Sequence, residues 1–145
     1  MINVIVIDCS AGPSVRDSFL GAAPGISVLS ETSTQENGLS LIETQKPDIL
    51  LLGISTFKND TRCFLQDLAE ISPTTKVILL VDQLDPELLL ACLEAGARGY
   101  IQRSHLAGLL VKAIRLVDQG EAWVSREMVG RILDRLVERQ SSISA

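Results

Sequence analysis

Lys46–Thr56, read as KPDILLLGIST, decides the fold. Four consecutive apolar residues, Ile49–Leu52, follow a proline and an acid and stop at Gly53. A short continuous apolar run, without polar alternation, is the signature of a strand covered on both faces, as in a parallel sheet between helices. Asn3–Ile7 and Val77–Val81 have the same character, and two shorter apolar runs, Ile26–Leu29 and Gly99–Ile101, recur without that continuity.

Helix-length segments separate these runs. Ser14–Ala22 follows Pro13, a residue suited to a first turn. Thr34–Thr44 gathers Leu39, Leu41 and Ile42 near one face, and Asp60–Ile71 spaces Cys63, Phe64, Leu68 and Ile71 at helical intervals. Pro86–Ala95 starts after Asp85, a good N-cap, and stops at Gly96. Leu106–Val117 carries the clearest stripe, with Ser104 as its expected cap and Gly120 at its end. Five strands alternating with five helices predict a doubly wound α/β domain. A sixth helix is expected at Arg126–Arg139, then a frayed tail, QSSISA.

Composition narrows the function. The 145 residues suit one domain, and 46% are hydrophobic against 3% aromatic, so the core is built from aliphatic side chains. A net charge of −5 gives no electrostatic footprint for nucleic acid, and this chain alone is not expected to bind it. No apolar run reaches the ~20 residues of a membrane helix, and no membrane partner is expected. The N-terminal MINVIVIDCS reads as a strand, not a leader. Three scattered cysteines, Cys9, Cys63 and Cys92, fit neither a disulfide framework nor a zinc site; reduced thiols and a cytoplasmic location are expected.

Four pieces together resemble the receiver domain of bacterial two-component response regulators of the LuxR/NarL type: KPDILLL, KVILLV, LEAGARGYIQR and GEAWVS (Gly120–Ser125). The resemblance covers residues 2–125. It implies a flavodoxin-like three-layer α/β/α sandwich whose five-stranded parallel sheet has the order 2-1-3-4-5. Residues 1–124 would form the receiver-like domain and 125–145 a C-terminal linker helix and tail.

The family's phosphoryl transfer needs an acid pair for Mg²⁺, an acceptor Asp, a hydroxyl and a Lys. At the matching positions this chain has Asp8 and Cys9, Gly53, Val81 and Arg103. The resemblance therefore implies a degenerate pocket, a pseudo-receiver, with no catalytic residue, metal or cofactor. Asp8 is either a relic metal ligand or the partner of Arg103 or a helix cap. Arg103 is either an anion site or half of an ion pair, and Cys9 either a redox sensor or an inert thiol. Tyr100 matches the family's switch aromatic, and His105 reads as a surface residue. No glycine-rich phosphate loop follows the first strand, which speaks against other flavodoxin-like enzymes.

The expected function is a phosphorylation-independent regulatory module, the regulatory half of a LuxR-type transcription regulator. It would act by dimerisation and contact with a DNA-binding domain in cis or a regulatory protein partner. One alternative is a small-molecule or anion sensor using the vacated pocket, and a second is a conventional phosphoacceptor. Consecutive Leu88-Leu89-Leu90 cannot all face one core, so at least one is expected to face out. The candidate dimer face comprises Leu88, Leu90, Val111, Leu116, Val129, Ile132 and Leu136, with the stripe Val129–Val137 able to fold back or to pair with another chain.

Overall fold

The computed structural model describes residues 1–8, 14–54 and 59–144, without the side chains of 59, 60 and 141–144. Five parallel strands form one sheet: β1 (Ile2–Ile7), β2 (Ile26–Thr32), β3 (Ile49–Ile54), β4 (Lys76–Val81) and β5 (Gly99–Gln102). Their order is β2-β1-β3-β4-β5, as the resemblance implied. The β1–β2 pairing slips by one residue between Val4 and Ile5.

Alternate residues of the buried strands feed two cores. Ile5, Ile7, Leu50, Leu52, Val77 and Leu79 face one layer, made by α1 (Gln35–Gln45), α2 (Asn59–Ile71) and α3 (Pro86–Glu94). Val4, Val6, Ile49, Leu51, Ile78 and Leu80 face the other, made by α4 (Leu106–Asp118) and a π-helical turn at Arg16–Leu20. β1, β3 and β4 are apolar on both faces because each face has its own helical cover. Asp85 caps α3 by accepting from the Leu88 backbone N–H at 3.3 Å, and Gly96 ends that segment at φ +115°, a conformation that favours glycine.

Several expectations need correction. The first helix is a single π-helical turn with Val15 and Leu20 buried, not a helix over Ser14–Ala22. In α2 the buried stripe is Phe64, Leu65 and Leu68, while Cys63 is exposed, so Leu65 takes the place assigned to Cys63. Ser104 does not cap α4: residues Arg103–His105 form a 3₁₀ turn, and His105 occupies the cap position without a side-chain hydrogen bond. The last helix, α5 (Arg126–Ser144), continues through the segment expected to fray.

The Leu88–Leu90 run also resolves. Leu89 and Leu90 are both buried, and Leu88 is half-buried against the same core. Leu90 is therefore core, not interface. Val111 and Leu116 on α4 are half-buried, and Val111 packs on the second core. Helix α5 lies against α3. Met128 is buried and Ile132 packs against the first core, so Ile132 also turns towards its own domain. Ion pairs Arg131–Glu87 (3.8 Å), Arg135–Glu94 (3.3 Å) and Arg139–Glu94 (2.6 Å) line that contact.

Candidate functional site

The C-terminal ends of parallel strands are where an open α/β sheet places its ligands. Asp8 leaves the end of β1, and its backbone N–H donates to the Thr32 carbonyl at 2.9 Å. Gly53 is the last residue but one of β3, paired with Leu80 of β4. Val81 ends β4, flanked by Ile54 and Gln102, and is buried among aliphatic side chains. Arg103 emerges directly from β5.

Asp8 and Arg103 are 95 residues apart in sequence, and β3 and β4 lie between their strands. They meet in a two-pronged ion pair: Arg103 Nη1 donates to Asp8 Oδ2 at 2.7 Å and Nη2 to Oδ1 at 2.8 Å. Both side chains are mostly buried, at 18% and 9% exposed. Arg103 Nε also lies 2.9 Å from Asp82 Oδ1, just beyond β4. The planar guanidinium fork matches a carboxylate in a way a lysine ammonium does not.

Gly53 lies under this pair. A Cβ built at residue 53 would sit 2.7 Å from Arg103 Nη2, and nearer still to Asp8 Oδ1. Any side chain there must displace the pair. The sequence signal was present: a glycine falls near the end of an otherwise branched and bulky strand, with one acid after β1 and one arginine after β5.

The receiver resemblance implies Mg²⁺, and the described residues do not fit it. Both Asp8 oxygens are already bound to Arg103. No cluster of three or more His, Cys, Asp or Glu able to hold a metal occurs among the described residues. Cys9, Ser55 and Thr56 lie outside the described residues. A cleft of about 320 Å³ opens beside the pair, lined by Ile54, Val81, Asp82, Gln83, Asp85, Leu88 and Leu89. The space suggested for a sensor, by Asp8, Gly53 and Arg103, is instead occupied by the ion pair.

Tyr100, on β5, is half-buried and held at its hydroxyl. That hydroxyl donates to Ser125 Oγ at 3.1 Å and accepts from the Ser125 backbone N–H at 3.2 Å. Ser125 Oγ in turn accepts from the Met128 backbone N–H at 3.1 Å, capping α5. Between them Trp123 bridges to Gly99, where a Cβ would come within 2.7 Å of the Trp123 carbonyl oxygen. Sequence reasoning matched Tyr100 to a switch and missed its role as anchor for the start of α5. The signal was Ser125, a good capping residue just ahead of a helical stripe.

No protein-family model matches the chain. Individual proteins do. The transcriptional regulatory protein LiaR of Bacillus subtilis is 28% identical over 137 residues, covering 94% of this chain and 65% of LiaR. The isolated REC domain of RcsB from Salmonella enterica superposes with a TM-score of 0.77 at 20% identity, over 92% of this chain and 99% of that one. A LuxR family DNA-binding response regulator from Silicibacter pomeroyi superposes with a TM-score of 0.71 at 27% identity, over 88% and 99%. The chain has the fold of receiver domains, and the relatives it matches are response regulators of the LuxR/NarL type. It spans about half to two thirds of the length of the curated relatives it matches. No helix among the described residues is long and apolar enough to cross a membrane.

Proposed function

We propose that this chain is a pseudo-receiver, a regulatory module that works without accepting a phosphoryl group. The observation that carries the reading is the Asp8–Arg103 pair seated over Gly53. Phosphoryl transfer to a receiver needs a carboxylate nucleophile and cations placed to offset phosphate charge. Here Gly53 provides no nucleophile, Val81 provides no hydroxyl, and Arg103 spends its charge on Asp8. The ion pair supplies internally the neutralisation that a phosphate would otherwise draw on.

In this reading residues 1–124 are the regulatory domain and 125–145 lead towards an effector. The matched relatives are transcription regulators longer than this chain, which supports a DNA-binding domain in cis as that effector, in the cytoplasm. Regulation would then proceed by dimerisation and protein contact, and the module itself is not an enzyme. The test is intact-mass measurement after incubation with acetyl phosphate and Mg²⁺. The expected result is an unmodified chain, both for the native protein and for Gly53→Asp, which still has Cys9 and Val81. A stoichiometric, base-labile phosphoryl adduct on the native protein refutes the reading.

A further inference from the structure

Helix α5 leans on α3 across a cleft of about 300 Å³, at the small end of the ~300–1,000 Å³ of small-molecule sites. Leu93 of α3, Ala97, Val124, and Ile132 and Leu136 of α5 give it apolar walls. Its charged members are Arg98, Arg135, Arg139 and Glu94, so three cations meet one anion on a chain whose net charge is −5. Arg98 precedes β5 and Arg103 follows it, which sets this cleft at the opposite end of that strand from the Asp8–Arg103 pair.

Hydrogen bonding separates the committed charges from the others. Arg139 Nη2 donates to Glu94 Oε2 at 2.6 Å, and the two charges offset each other. Glu94 Oε1 is closed to solvent and accepts no hydrogen bond from the described residues; Arg135 Nη1 stands 3.3 Å from it, misaligned for one. Arg135 Nε faces the exposed Glu138 at 3.8 Å, beyond hydrogen-bond reach. Arg98 makes one long bond, from Nη1 to the Gly120 carbonyl at 3.4 Å. A guanidinium carries five N–H donors in a planar fork, and its best match is a carboxylate. Arg98 and Arg135 thus bring donors with weak partners to the edge of an apolar cavity.

We infer that this cleft binds a small carboxylic acid with an apolar body, its carboxylate on Arg98 and Arg135 and its body between α3 and α5. A cation is repelled by the surplus positive charge, and a neutral apolar molecule leaves both forks with the weak partners they already have. Ile132, Arg135 and Leu136 belong to α5, so the site is complete only while α5 is docked. A bound acid therefore holds α5, the segment that leads towards an effector, against the domain. This input goes beyond the phosphate-free reading and does not rest on it, since a phosphorylatable domain could carry the same cleft.

Isothermal titration calorimetry of the full chain at pH 7 is the first measurement, with octanoate and 3-phenylpropanoate as probes, one flexible body and one aromatic. At least one should bind at a single site with a dissociation constant below about 1 mM, which ~10 non-hydrogen atoms can supply. Acetate, which has the charge without the body, and octylammonium, which has the body with the opposite charge, should each bind at least tenfold more weakly. Arg98→Gln should weaken the acid at least tenfold. Ala122→Phe, which fills the cleft from an exposed position, should do the same. With ligand at ten times its dissociation constant, amide hydrogen exchange over Ile132–Arg139 should slow about tenfold. Absence of binding by both probes overturns the proposal, and so does octylammonium binding as tightly as the acids. Binding indifferent to both Arg98→Gln and Ala122→Phe overturns the location, and unchanged exchange in α5 overturns the link to that helix. None of these results alters the acetyl phosphate test, so the two readings fail separately.

Discussion

Replacing Gly53 with alanine adds a single methyl group, and the structure says what that methyl meets. It would stand 2.7 Å from Arg103 Nη2 and closer to the Asp8 carboxylate, inside the van der Waals distance of both. Two effects compete. Removing a glycine from a strand is favourable by ~0.5–1 kcal/mol. Forcing an extra carbon into a filled site costs ~1–3 kcal/mol. Prising apart a mostly buried, two-pronged pair adds to that cost, beyond the ~0–1 kcal/mol typical of exposed pairs. The steric term wins, and Gly53→Ala should destabilise the domain by ~1–3 kcal/mol. The same substitution in an Asp8→Ala/Arg103→Ala background meets empty space. There only the glycine term survives, and the change should be neutral or stabilising by ~0.5–1 kcal/mol. Urea unfolding midpoints for the four proteins close the cycle. Equal destabilisation by Gly53→Ala in both backgrounds would show that the pair does not rest over Gly53, and the reasoning about the pocket would fall with it.

Two further outcomes follow from the geometry. Tyr100→Phe removes both hydrogen bonds to Ser125 and should cost ~0.5–1.5 kcal/mol, with faster amide hydrogen exchange at Met128 and Val129, the first turn of α5; unchanged exchange there would deny the anchor. Burial pushes the Cys92 thiol up from 9.0 to about 11. The unfolded thiol therefore ionises first, so this contribution is intact below pH 9.0 and is lost as pH rises towards 11, by up to about 3 kcal/mol. Unfolding midpoints measured from pH 8 to pH 11 should fall less steeply for Cys92→Ala than for the native chain.

The sheet was legible because its central strands are covered on both faces. Ile49–Leu52 and Val77–Val81 have no polar alternation to misread, and helices between them leave a parallel arrangement as the consistent outcome. Local chemistry was less legible. Ser104 looked like a cap, but Arg103 must stay at the end of β5 to reach Asp8, and the chain turns there in a 3₁₀ step that moves the cap position to His105. Leu90 looked like a surface residue because helical spacing says that three adjacent leucines diverge. It does not say that α5 covers part of the face of α3 that would otherwise be exposed. The pocket positions Asp8, Gly53, Val81 and Arg103 were found through strand ends. The bond between Asp8 and Arg103 was one of several options open to the sequence, and only three-dimensional distance selects it.

Trp123 has a consequence for how this protein can meet others. β5 is the last strand of the sheet, and an outermost strand ordinarily presents backbone groups that can template a foreign strand. Here the Tyr100 N–H donates to the Trp123 carbonyl at 3.2 Å, and the Trp123 N–H donates to the Arg98 carbonyl at 3.0 Å. The segment leading to α5 thus runs as a hem along that border, engaging the backbone groups that a neighbouring chain would need. Recognition on this side of the molecule must then proceed through side chains, which can be tuned residue by residue, and not through the sequence-blind backbone pairing that leads to fibres.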